Sequence, residues 1–228
     1  MNIFAIDSAT RGASAAIYSD GRILSENFAD IGLTHSQTLM ELCDEVFRRS
    51  SLTPKDIDYF AATCGPGSFT GLRIGLGTVK GMAFAVGKPC IAVPTLEALA
   101  FATVPCERIV APVLDARRGR VYCAQFDAGT KTIRRTQDSV LTYSELGVSL
   151  EGKRVLFIGD AAEICYNELC LKLDCEFAPQ TRSLPRASFA AAAAAERIER
   201  GLVCSAAELA LSYIQIPQAE RVLKERKQ

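Results

Sequence analysis

The stretch from Cys64 to Gly81, CGPGSFTGLRIGLGTVKG, constrains this chain of 228 residues more than any other. Glycines at 65 and 67 let the backbone turn sharply after the apolar run Asp58 to Thr63, and Ser68 or Thr70 can cap the helix that follows. Strand, glycine-rich loop and helix therefore succeed one another, and a helix amino terminus with free amides favours anions. The plainer alternative is a glycine-built turn with no ligand. No lysine follows the loop until Lys80, so a P-loop is excluded. Further on, Gly71 and Gly75 lie one turn apart, as do Gly77 and Gly81, among Leu72, Ile74, Leu76, Val79, Met82 and Phe84. An interior glycine costs a helix about 1 kcal/mol relative to alanine. Close approach of another backbone must offset that, inside the chain for one pair and against a second protein for the other; either assignment fits the sequence.

The segments around this block read as alternating strands and helices. Asn2 to Ala5, Ala13 to Tyr18 and Ile23 to Phe28 form an antiparallel meander around the polar segment Asp7 to Gly12. Thr34 stands three residues before Gln37, a capping-box spacing, and Leu39, Leu42, Cys43 and Val46 recur at helical intervals up to Arg48 and Arg49. A strand at Cys90 to Val93 leads to Thr95, read as the cap of a helix Leu96 to Ala102, and Pro105 closes the first half. The second half starts with Ile109 to Asp115, a turn at Arg117 to Arg120, and Val121 to Phe126, a hairpin signal. Val155 to Ile158 is a strand, Gly159 and Asp160 open a helix whose apolar positions run through Leu171, and Pro185 to Arg200 is an alanine-rich helix stopped by Gly201. This echo between halves predicts a duplicated α/β architecture of two lobes, 1–105 and 106–228, with the last helix able to return to the first lobe.

Composition removes several function classes. Hydrophobic residues make up 49% of the chain, enough for a buried core, and no apolar run approaches the roughly 20 residues that cross a bilayer. The chain opens directly on strand-like Asn2 to Ile6, so a cytoplasmic, membrane-free protein is expected. Nine cysteines are irregularly spaced without a CxxC pair, which favours reduced core thiols over disulfides or a zinc cage. Lysine plus arginine equals aspartate plus glutamate at 26 each, so an RNA contact is expected to be shared with a partner. His35 is the only histidine, which excludes a histidine-pair metal site. With no GxSxG elbow, a hydrolase triad has no support, and His35 is expected to serve structure or an interface.

Two further polar groups could carry chemistry. In the turn after the first strand, Asp7, Ser8 and Thr10 could hold a phosphate and a hydrated metal ion, together with Gly65, Gly67 and Ser68. Equally, Asp, Ser and Thr suit a hairpin turn because they hydrogen-bond their own backbone. The run Asp115-Ala-Arg-Arg-Gly-Arg120 sets Arg117, Arg118 and Arg120 at a hairpin tip, a phosphate or carboxylate clamp if it is not a solvated turn. The tail from Arg221 to Lys227 is basic too and could touch a partner or RNA.

In order and spacing, IFAIDSAT, THSQTLM, CGPGSFTGLRIGLGTVKGMA, VPTLEALA and VLDARRGRVYCAQF resemble the signatures of the TsaB (YeaZ) family over about the first 126 residues, and SYIQIPQAERVLKER resembles a divergent form of its tail. The resemblance implies an actin-like, Hsp70-like ATPase fold whose two lobes each hold a mixed sheet flanked by helices. It implies a non-catalytic scaffold subunit that pairs with TsaD, joined by the ATPase TsaE, in the complex that transfers threonylcarbamoyl to adenosine 37 of tRNAs reading codons that begin with A. ATP and metal are then expected in the partner subunits and no cofactor here. The catalytic relative's metal-binding histidine pair has no counterpart, since Leu39 stands four residues after His35. The family's glycine-rich helix is a pairing surface for TsaD, and for a homodimer when the subunit is alone. Carried over, Phe69, Gly71, Arg73, Ile74, Gly75 and Thr78 are the expected contact residues. The competing expectations are a stand-alone kinase or ATPase of the same fold, using Asp7, Ser8, Thr10 and the loop Gly65 to Ser68, and a metalloprotease, for which the chain lacks the residues.

Overall fold

The computed structural model describes residues 1–212 and 214, and two sheets organise them. The first sheet begins as an antiparallel meander of β1 (Asn2–Asp7), β2 (Ala13–Ser19) and β3 (Arg22–Ala29). Beyond α1 (His35–Ser50), β4 (Tyr59–Thr63) pairs parallel to β1. Beyond α2 (Phe69–Val86), β5 (Cys90–Val93) pairs parallel to β4, giving the order β3-β2-β1-β4-β5. Strand alternation decides what covers each face. Phe4, Ile6 and Ile17 point to α1 and α2, where Leu39, Leu42, Val46, Leu76 and Val79 meet them. Ile3, Ala5 and Ala16 point the other way.

That opposite face is covered by a helix from the far half of the sequence. After α3 (Thr95–Phe101), the second sheet takes the order β10-β7-β6-β11-β12 from β6 (Cys106–Asp115), β7 (Arg120–Cys123), β10 (Ser139–Thr142), β11 (Arg154–Ile158) and β12 (Asp174–Phe177). The strand pair β8 (Phe126–Ala128) and β9 (Thr132–Arg134) extends from β6, and α4 (Tyr143–Ser149) and α5 (Ala162–Leu169) cover one face with Leu146, Leu150, Cys165 and Leu169. Finally α6 (Ala187–Glu199) lays Ala187, Ala190, Ala191, Ala193 and Ala194 on the first sheet. Alanine is the residue that lets a helix approach a sheet this closely without losing helix propensity. Side chains of the meander cap its amino terminus: Ser14 Oγ accepts from the Ala187 amide at 2.8 Å and Glu26 Oε1 from the Ser188 amide at 2.9 Å. Both sheets run antiparallel on one side and parallel on the other, and α3 packs between them with Leu96 and Leu99 on the second sheet and Ala98 on the first.

Three local expectations change. Thr95 is the first helical residue of α3 and not its cap; Pro94 stands at the cap, the Thr95 amide donates to the Gly65 carbonyl at 2.8 Å, and its hydroxyl is buried without a partner. The expected strand Val121 to Phe126 is two strands. Gln125 gives its amide to Thr136 Oγ1 at 2.9 Å and its carbonyl to the Arg135 amide at 2.8 Å, which breaks the ladder between β7 and β8. The helix expected through Leu171 ends at Leu169. All nine cysteines are free. Among the described residues no helix is long and apolar enough to cross a membrane. The basic tail and the tail motif beyond Ser212 and Ile214 lie outside the described residues.

Candidate functional site

The glycine loop closes on the turn after β1. Ser68 donates its amide to the Ala9 carbonyl at 2.6 Å, Ser8 donates its hydroxyl to the Gly71 carbonyl at 2.8 Å, and His35 Nε2 meets the Thr10 carbonyl at 2.8 Å. Gly67, at φ +154°, sits so close to Ala9 that a Cβ would overlap its carbonyl oxygen. At Gly71 a Cβ would come within 2.7 Å of the His35 ring, and at Gly75 it would overlap the Ser8 hydroxyl and press on Ile6. Gly65, at φ +121°, lies against the Ser212 carbonyl, while the Ser212 amide donates to the Cys64 carbonyl at 2.8 Å. Two of the loop's amides are spent on the chain itself, since the Gly71 amide is also taken, by Ser68 Oγ at 3.2 Å. Its geometry is that of two loops bolted together, and the amides that a phosphate cradle needs at Ser68 and Gly71 are committed.

Asp7 lies beneath this junction and is fully buried. Neither carboxylate oxygen completes a hydrogen bond, and the hydroxyls of Thr10 and Thr63 are likewise buried and unpartnered. Burial dominates its ionisation, raising the carboxyl from 3.8 to about 7; Thr63 and the Ala9 amide, near it without closing a full hydrogen bond, pull it down without offsetting this, and Glu26 pushes it up. The six residues expected to form a phosphate site are thus divided. Thr10, Gly67 and Ser68 line a cleft of about 860 Å³, whereas Asp7, Ser8 and Gly65 do not.

That cleft separates the β1 turn and the start of α2 from the hairpin joining β6 to β7. Thr34, Ser36 and Thr70 add hydroxyls to one wall, and Asp115, Arg117 and Asp160 form the other. Burial raises the Asp160 carboxyl, opposed first by the hydrogen bond from the Asp115 amide; the Asp115 charge adds to the rise, and Arg11 and Arg117 counter it. Among the described residues, no group of three or more His, Cys, Asp or Glu could hold a metal ion.

The outer face of α2 is a separate feature. Gly71 and Gly75 turn inward and are buried, so the expectation that they touch a partner directly is corrected: their close neighbours are Ser8 and His35. Phe69 and Arg73 are exposed, with the Arg73 guanidinium 4.1 Å above the Phe69 ring, and Ile74 and Thr78 are half-buried beside them. Gly77 and Gly81 face open space with no atom near the place a Cβ would take, and Phe84 is 82% exposed next to them. The sequence reading paired these two glycines but did not carry them, or Phe84, to the contact face; the four-residue spacing was the available signal. It missed altogether a buried ion cluster of Glu97, Arg134, Asp138 and Arg197, where Arg197 Nη1 meets Glu97 Oε2 at 3.0 Å and Arg134 pairs with Asp138. No local pattern announces the Glu97 and Arg197 pair, 100 residues apart in sequence.

The architecture defines a class first. YeaZ from Pseudomonas aeruginosa superposes with a TM-score of 0.82 at 24% identity, over 93% of this chain and 99% of that one, and the ROK hexokinase from Thermus thermophilus at 0.50 and 12%, over 88% and 100%. The two-sheet fold is therefore that of the actin-like ATPases. The family model TsaD, tRNA N6-adenosine threonylcarbamoyltransferase, matches residues 30–222, and the chain belongs to that family. Within it the chain is similar to the tRNA threonylcarbamoyladenosine biosynthesis protein TsaB of Escherichia coli, at 36% identity over 55% of each chain. It thus spans about half the length of the curated relative it matches.

Proposed function

We propose that this chain is a TsaB-like partner subunit that supports a TsaD transferase in forming threonylcarbamoyladenosine on tRNA, in the cytosol, and does not itself catalyse the transfer. The observation that carries the reading is the division of labour along α2. Gly71 and Gly75 repay their cost inside the fold, whereas Gly77 and Gly81 do not, and an uncompensated glycine pair beside an exposed Phe84 suits the close approach of a second chain. The contact face then comprises Phe69, Arg73, Ile74, Gly77, Thr78, Gly81 and Phe84, with TsaD as the occupant in the complex and a second copy of this chain in its absence.

His35 supports a role without catalysis. The sequence holds one histidine, and its Nε2 is committed to the Thr10 carbonyl while its ring packs on Gly71. The stand-alone ATPase reading is weaker because the Ser68 and Gly71 amides are already bonded within the chain and Asp7 does not line the cleft. Reconstitution tests the proposal. Purified chain, TsaD and TsaE with threonylcarbamoyl-adenylate and tRNA should form the modified nucleoside, and omission of this chain should abolish the product. Equal product without the chain refutes the role, and product from the chain alone refutes its passivity.

A further inference from the structure

The hairpin joining β6 to β7 holds a conformation its residues disfavour. Arg117 and Arg118 have φ of 67° and 55°, the left-handed region that side chains avoid, and Gly119 follows at 68°. Polar bonds brace the turn. Asp115 Oδ1 accepts from the Arg117 amide at 2.7 Å, Asp160 Oδ1 from the Asp115 amide at 2.9 Å, and the Arg120 carbonyl from the Ala116 amide at 3.0 Å. Asparagine or glycine would fill such positions without strain. Instead two long cations occupy them, Arg117 on the wall of the cleft and Arg118 next to it in the hairpin.

These cations are little used by the fold. The Arg117 side chain is 87% exposed and reaches only Asp115, at 3.4 Å, while Arg118 and Arg120 make no ion pair among the described residues. From the opposite wall comes Arg11, held by Asp30 at 2.9 Å and close enough, like Arg117, to act on the Asp160 carboxyl. Between the walls Thr10 lines the cleft at 8% exposure with an unpartnered hydroxyl. Guanidinium forks match phosphate oxygens in pairs. The chain carries no net charge, so this basic rim is a local device and not part of a general excess.

We propose that Arg11, Arg117, Arg118 and Arg120 form a phosphate-binding rim for an RNA strand that crosses the mouth of the cleft. At the floor the amides of Ser68 and Gly71 are committed to Ala9 and Ser68, whereas Arg11 and Arg117 line the cleft and Arg118 and Arg120 share the Arg117 hairpin. That the strand is RNA rests on the proposed role in tRNA modification; the cationic rim itself does not.

Anisotropy of a fluorescein-labelled, unmodified tRNA transcript titrated with the full chain at several salt concentrations tests the inference. The native chain should bind with an affinity that falls with salt. R117A/R118A should weaken binding on the order of tenfold at low salt and lower the slope of log affinity against log salt by about two, while R117K/R118K should restore the slope. ATP should not displace the RNA. Absence of binding, an unchanged slope in the alanine variant, or displacement by ATP overturns the proposal. Thermal unfolding of R117A/R118A should match the native chain, and its co-elution with TsaD should persist, so a failure of the rim is told apart from a failure of the pairing role.

Discussion

The Ser8 hydroxyl donates to the Gly71 carbonyl at 2.8 Å, and one turn further on Gly75 presents its bare Cα to the same hydroxyl. This contact fixes α2 against the turn after β1 and leaves the helix no room to rotate. The face bearing Gly77 and Gly81 is thereby committed to the outside.

The two glycine pairs should respond to alanine with opposite signs. Gly75→Ala must push the Ser8 side chain or Ile6 aside, an overpacking cost of about 1–3 kcal/mol set against a helix gain of about 1 kcal/mol. Gly77→Ala meets nothing and should stabilise the chain by about 0.5–1 kcal/mol. Urea unfolding of the two variants measures the contrast; equal shifts would contradict the packing account.

Asp7 should make the fold less stable as the pH rises from about 4 to about 7. Its folded pKa, about 7, lies above the ordinary 3.8, so the stability it lends is complete below about 3.8 and is lost as the pH rises through 7. The full loss is on the order of 4 kcal/mol. Asp138 and Asp160, also raised by burial, act in the same direction. Denaturant midpoints should therefore fall from pH 5.5 to pH 8, and Asp7→Asn should flatten the trend. A native profile that rises over this range would show that Asp7 is charged and partnered.

Much of this was legible in the sequence because it is local. The Thr34 and Gln37 spacing marks α1, and the Thr34 amide indeed donates to Gln37 Oε1 at 3.1 Å. Period-two apolar strands mark the meander, and the loop glycines mark the entry to α2. What escaped depends on neighbours remote in sequence. Which glycine pair faces inward is decided by Ser8 and His35; the Ser68 amide that a phosphate loop would use goes to Ala9; and the short strands β9, β10 and β12 carry too few residues for a period to emerge.

Glu97 should be costly to remove. It is 7% exposed and meets Arg197 at 3.0 Å and Arg134 at 3.6 Å, so Glu97→Ala strands the largely buried Arg197 guanidinium and leaves Arg134 with Asp138 alone. A loss of about 3 kcal/mol is expected, and Arg197→Ala added to it should cost much less than the sum of the singles. A double-mutant cycle in urea checks this; strict additivity would mean that the two side chains do not interact.

Charge placed on the outward glycines tests the central claim most directly. Gly77→Arg and Gly81→Arg put long side chains into open space and remove a helix glycine, so each variant should match or exceed the thermal midpoint of the native chain. In size-exclusion chromatography with purified TsaD, the native chain should co-elute with the partner and both variants should run apart from it. Undiminished co-elution of the two arginine variants would contradict the account.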